Sequence, residues 1–97
     1  MKTFKDLTFE PHPFWKGGKQ ARMDFPNGFG ISVITGAPEM YCNSGTYEVA
    51  VLKNGMCCYS TPLTNDVLGF QTESEVTKVM EAIQGFSKDQ YPNRKEE

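Results

Sequence analysis

One histidine, one tryptophan and three cysteines are all the chain offers of its most chemically distinctive side chains. A general base or a nucleophile needs a partner within hydrogen-bond reach. His12, set between Pro11 and Pro13, has none near it in sequence. Cys42, Cys57, Cys58 and His12 form the only soft-ligand set, and they lack the paired C-x₂₋₄-C spacing of structural zinc sites. Gly28-Phe29-Gly30 lacks the third glycine of a dinucleotide-binding turn and falls inside a hairpin pattern. These absences point away from catalysis, and the expectation is no metal, no cofactor and no enzymatic activity. No apolar run approaches the ~20 residues of a membrane span. The stretch MKTFKDLTFEPH has no apolar core of signal-peptide length. Three cysteines cannot all pair, and neighbours such as Cys57 and Cys58 point to opposite faces of a strand. A reduced, cytoplasmic protein is therefore expected, with Cys57 and Cys58 packing as small hydrophobes.

What is present suits one small domain. Ninety-seven residues leave no room for two, and the composition, 38% hydrophobic and 23% charged, is that of a folded chain. The reading is a single domain over 1–86 and a polar, mobile tail over 87–97. Charge is unevenly spread. Lys2, Lys5, Lys16, Lys19 and Arg22 against Asp6 and Glu10 give the first 22 residues a net of +3, whereas residues 23–81 carry −5.

Alternation and turn chemistry predict strands at Asp6–Glu10, Lys19–Phe25, Phe29–Thr35, Thr46–Lys53 and Met56–Ser60. The register of the second and third can be chosen by parity. A three-residue loop, Pro26-Asn27-Gly28, faces Met23 with Ile31 and Ala21 with Val33, collecting the large apolar groups on one face. Around Asn54-Gly55, two- and three-residue loops each leave apolar pairs, so that register stays open. Leu63–Gln71 reads as a structured connection. Thr72-Glu73-Ser74-Glu75 is a capping box opening a helix to Phe86. Val76, Val79, Met80 and Ile83 form its apolar stripe, and Gly85 is its stop. The fold class is α+β, an antiparallel meander of four to five strands with one C-terminal amphipathic helix on one face. The other face is expected to stay partly open. Leu52, Ala50 or Tyr47 would then need cover from Phe14-Trp15 or from a second molecule.

The blocks FPNGFGISV, TYEVAVL and CYSTPLTNDVLGF, followed by an E-x-x-V helix, resemble a group of small accessory proteins of tailed phages and prophages. The likeness runs from about Gln20 to Gln84. It departs at the Cys57-Cys58 pair and in the polar tail. The matching residues are mostly turn formers and core positions, so the resemblance speaks to fold and origin. It implies a stoichiometric binder of a host protein or complex, of anti-CRISPR or anti-restriction type, in the cytoplasm of the infected or lysogenic bacterium. The other reading is a nucleic-acid-binding domain using the basic N-terminal edge, with Phe14, Trp15 and Tyr41 as stacking surfaces. Interface cores favour aromatic residues and methionine. Trp15, Met40 and Tyr41 are therefore the candidate partner-binding residues, with Glu73 and Glu75 at the rim for a basic partner. A homodimer is compatible with the same surface.

Overall fold

The computed structural model describes residues 1–36, 45–63 and 67–91. Among these, a 3₁₀ turn (Phe4–Asp6) precedes β1 (Glu10–Pro11), β2 (Lys19–Asp24), β3 (Phe29–Thr35), β4 (Tyr47–Lys53), β5 (Met56–Cys57), β6 (Leu68–Gln71) and α1 (Glu73–Gln84). All pairings are antiparallel, in the order β1-β2-β3-β4-β5, and β6 returns to pair with β4 along the edge that β5 begins. This is the α+β architecture of a sheet with one C-terminal helix. The strand path is a meander only as far as β5.

The β2–β3 hairpin has the register that parity selects, with Ala21 opposite Val33 and Met23 opposite Ile31. Gly28 takes φ 87°, the left-handed conformation that glycine adopts without strain. The second hairpin resolves to a two-residue turn. Asn54 (φ 53°) and Gly55 (φ 81°) match a type I′ turn, and Lys53 faces Met56. Gly30 is needed for a different reason: a Cβ there would lie 2.6 Å from the Met23 carbonyl oxygen.

Three expectations are corrected. Asp6–Glu10 is not a strand. The Asp6 carboxylate accepts from the Thr3 N–H (2.9 Å) and winds the chain into the 3₁₀ turn, so strand pairing begins only at Glu10. Ladder pairing of the fifth strand ends at Cys57 rather than Ser60. Within Leu63–Gln71 lies the extra strand β6. It is hidden in the sequence because a bulge sets Gly69 and Phe70 against the single residue Glu48. Phe70 adopts φ 53° and is 52% exposed, although its spacing from Leu68 would place both on one face.

The helix begins as its capping box dictates. Thr72 N–H donates to the Glu75 carboxylate (2.8 Å), and Glu75 N–H to the Thr72 hydroxyl (3.2 Å). Val76, Val79, Met80 and Ile83 are buried against Ile31, Val33, Val49 and Val51 in one cluster. Gly85 ends the helix in right-handed conformation (φ −88°), not in a left-handed cap. The Gly85 and Phe86 N–H groups close the last turn on Ala82 O and Ile83 O, and a distant side chain adds to them: the Asn27 amide donates to Ile83 O and Phe86 O, both at 3.0 Å. The helix end is thus tied to the β2–β3 turn. Ser87–Tyr91, at the head of the polar tail, also docks. Lys53 Nζ donates to Gln90 O and sits 5.1 Å from the Phe29 ring centroid. Cys58 Sγ donates to Tyr91 O (3.2 Å), and the Tyr91 ring packs edge-on to Phe86.

The second sheet face is not open at its centre. Ile34, Ala50 and Leu52 are 6%, 7% and 2% exposed within the chain itself. Tyr47 belongs to the helix face, half-buried among Phe4 and Phe9. On the second face Arg22 reaches across β3 to donate to Gly55 O (2.9 Å), and Gln20 donates to Ser32 Oγ (3.3 Å). No helix among the described residues is long and apolar enough to cross a membrane. Burying a carboxylate at Val79 would leave a charge without a partner. Val79→Asp is therefore expected to lower stability by about 3 kcal/mol or more. Chemical denaturation measures it, and a curve coincident with the parent would contradict the docking of α1.

Candidate functional site

One end of the sheet gathers the start of β2, the end of β3, the start of β4 and the start of α1. The segment before β1 lies over this end because it is strapped to the helix. Lys2 N–H donates to Gln84 Oε1 (2.9 Å), Gln84 Nε2 returns a bond to Lys2 O (2.8 Å), and Phe4 N–H donates to Thr77 Oγ1 (3.1 Å). These bonds bring Phe4 against Tyr47 (centroids 5.1 Å, 67° between planes), and Phe9 closes the trio at 5.8 Å from each. The edge-on pair of Phe4 and Tyr47 suits the ring quadrupoles, and Phe9, tilted to both, completes one wall.

Beside that wall is a groove of about 610 Å³. Phe4, Leu7, Phe9 and Tyr47 line its apolar side. Lys5, Lys19 and Glu73 supply its charge, and backbone is presented at Gly17, Gly36 and Gly45. The size and the mix of apolar wall with a few polar groups are those of a binding cleft. Burial raises the Tyr47 phenol above its ordinary value of 10.0, and the Glu73 carboxylate beside it raises it further.

The loop joining β1 to β2 borders the groove at Gly17. It is fixed by its own hydrogen bonds and by a seat on Gly36. His12 N–H donates to Gly18 O (2.9 Å), and Gly18 N–H to Trp15 O (2.9 Å). His12 Nδ1 accepts from both Phe14 N–H (3.0 Å) and Trp15 N–H (3.2 Å). The histidine lone pair is spent on main-chain donors, a structural use in the manner of an Asx turn. Gly17 (φ 84°) seats on Gly36, where a Cβ would come within 3.0 Å of the Gly17 carbonyl oxygen. The result presents Phe14 at 85% exposure on a fixed loop between prolines and glycines. On the opposite sheet face a smaller concavity of about 350 Å³, lined in part by Pro13, Gln20 and Arg22, flanks the same loop.

Glu73 lines the groove. Trp15 lies on the fixed loop, half-buried, its ring 6.4 Å from that of His12. Glu75 is exposed, with one carboxylate oxygen committed to the helix cap. Met40 and Tyr41 lie outside the described residues. Phe14, expected from sequence either to help cover the second sheet face or to stack on nucleic acid, is the exposed aromatic residue of the loop. Which of Phe14 and Trp15 faces water is decided by the His12 bonds, and no periodicity encodes it. The cysteines divide: Cys58 is a buried donor in the core, whereas Cys57 is exposed and does not pack as a hydrophobe. Among the described residues no group of three or more His, Cys, Asp or Glu side chains is placed to hold a metal ion. Searches against protein-family models, curated proteins and solved structures return no match for this chain.

Tyr47 offers a direct check of the groove's electrostatics. A phenol with a raised pKa stabilises the fold fully below its unfolded value, and that contribution is lost as pH rises through the folded value. In Glu73→Gln, Tyr47 should titrate below its value in the parent yet still above 10.0, since burial is the larger cause. Phenolate absorbance, with Tyr47→Phe as the blank, measures this. Identical titration in both proteins would show that Glu73 does not act on Tyr47.

Proposed function

We propose that the protein is a non-catalytic accessory protein of a tailed phage or prophage that binds a host protein. The specific form of the reading is stoichiometric inhibition of a host defence complex, of anti-CRISPR or anti-restriction type, in the bacterial cytoplasm. The observation that carries the binding role is Phe14. An aromatic ring at 85% exposure costs the free chain apolar surface in water, and here three hydrogen bonds of His12 hold the loop backbone that carries it. A few buried aromatic anchors dominate interface energies, and an anchor already fixed in place loses less entropy on binding. The phage origin rests on the resemblance of FPNGFGISV, TYEVAVL and CYSTPLTNDVLGF, and inhibition of a defence system rests on that origin alone.

Lys5 and Lys19 beside Phe4 and Phe9 give the nucleic-acid reading its support, since cations interleaved with rings suit a single strand. Glu73 in the same groove and a net charge of −2 weigh against it.

The test is affinity capture from bacterial lysate with the parent protein and with Phe14→Ala, quantified by mass spectrometry and followed by a binary assay on the purified partner. Loss of a central anchor costs about 2 kcal/mol, so about thirtyfold weaker binding is expected at unchanged melting temperature. Equal binding by the two proteins, or no specific enrichment by the parent, would overturn the reading.

A further inference from the structure

The groove has a composition that restricts what can lie in it. Its wall is three mutually packed rings and Leu7. Its cations are Lys5 and Lys19, both exposed, and among the described residues neither ammonium has an ion-pair partner. Against them, among the described lining residues, stands one carboxylate, Glu73, placed close enough to Tyr47 to raise its phenol. Three glycines expose main chain along the same concavity. An apolar wall asks for an aromatic or aliphatic side chain, and two ammoniums without an ion-pair partner among the described residues ask for one or two carboxylates beside it.

We infer that this groove takes an acidic peptide segment, a hydrophobic side chain flanked by carboxylates, contributed by the protein partner. The inference rests on reading this end of the sheet as the partner face. The hydrophobic side chain lies on Phe4, Phe9 and Tyr47, and its flanking carboxylates meet Lys5 and Lys19. Glycine backbone at Gly17, Gly36 and Gly45 lets the peptide main chain approach closely, because no Cβ intervenes. A nucleic-acid strand fits less well. Its phosphates recur at every nucleotide, and a chain of them would have to pass Glu73. Phe4 and Tyr47 meet edge-on and Phe9 is tilted by about 43–44° to both, so no two rings of the wall are parallel. Phe14, on the neighbouring loop, enters the partner, whereas the groove receives from it. The two contacts are separate and can fail separately.

The experiment is an amide-resolved NMR titration of the full-length ¹⁵N-labelled protein. The probe is the peptide acetyl-Asp-Phe-Asp-Leu-amide, with acetyl-Lys-Phe-Lys-Leu-amide and a short oligo(dT) as comparisons. Amides of Gly17, Gly36, Gly45 and Tyr47 should shift with the acidic peptide at millimolar concentration. Reversing two exposed charge contacts turns attraction into repulsion, so the basic peptide and the double variant Lys5→Glu/Lys19→Glu should each show affinity lower by about tenfold. Lys5→Met/Lys19→Met, which keeps the aliphatic stems, should show the same direction of change with the fold retained. No shift at those four amides, equal affinity for acidic and basic peptides, or tighter binding of oligo(dT) there would each overturn the inference. Capture of a host protein that depends on Phe14 while the peptide fails would remove the groove and leave the partner reading. Peptide binding without such capture would do the reverse.

Discussion

The contact between the apolar stripe of α1 and the centre of the sheet is what the remaining structure hangs on. Val76, Val79, Met80 and Ile83 lie against Ile31, Val33, Val49 and Val51, all with little or no exposure. Burying four such side chains is worth about 6–12 kcal/mol by area, an upper estimate of the same size as the net stability of a small domain. The sheet under the helix is equally constrained, since β4 is paired along both edges and its side chains are buried on both faces. Secondary attachments converge on the same pair of elements. Asn27 ties the helix end to the β2–β3 turn, Lys53 and Cys58 hold Ser87–Tyr91, and Gln84 and Thr77 hold the N-terminal segment.

That last attachment links stability to the candidate site. The segment carrying Phe4, Lys5, Leu7 and Phe9 has little pairing of its own before β1. Its position over the end of the sheet is set by two side chains of α1. The groove therefore exists because the helix is docked. The His12–Gly18 loop is held differently, by short-range bonds closing on the His12 ring and by the seat on Gly36. A groove fixed by tertiary structure and an aromatic residue fixed by local structure stand side by side. Both are ordered before any partner arrives, which reduces the entropic cost of association.

Much of this frame was legible in the residues, and the parts that were not have identifiable reasons. Parity of apolar side chains chose the Pro26–Gly28 loop because a one-residue slip would have exposed Met23 and Ile31 together. Thr72 and Glu75 announced the helix because the capping box is local chemistry. β6 was hidden because its bulge breaks the alternation on which strand reading depends. Asp6–Glu10 alternates as a strand would, yet one carboxylate bond to Thr3 N–H wins over five residues of weak pattern. Gly85 is the usual residue for a helix stop, but the side chain that ties the helix end down is Asn27, over 50 residues away. Of the site, Glu73 and the loop of Trp15 were reachable from sequence. The groove was not, since its wall combines residues of the N-terminal segment with Tyr47, and only the fold brings them together.

On the proposed function, partners are met at the end of the sheet that bears Phe14 and the Phe4–Phe9–Tyr47 wall. Hydrogen exchange of the protein, free and in complex with the partner it captures, tests that claim directly. Slowed exchange in the complex is predicted at Phe14–Gly18 and around Tyr47, with the Asn54-Gly55 turn unchanged. Protection confined to that turn or to the exposed side of α1, with the Phe14 loop exchanging as in the free protein, would contradict it.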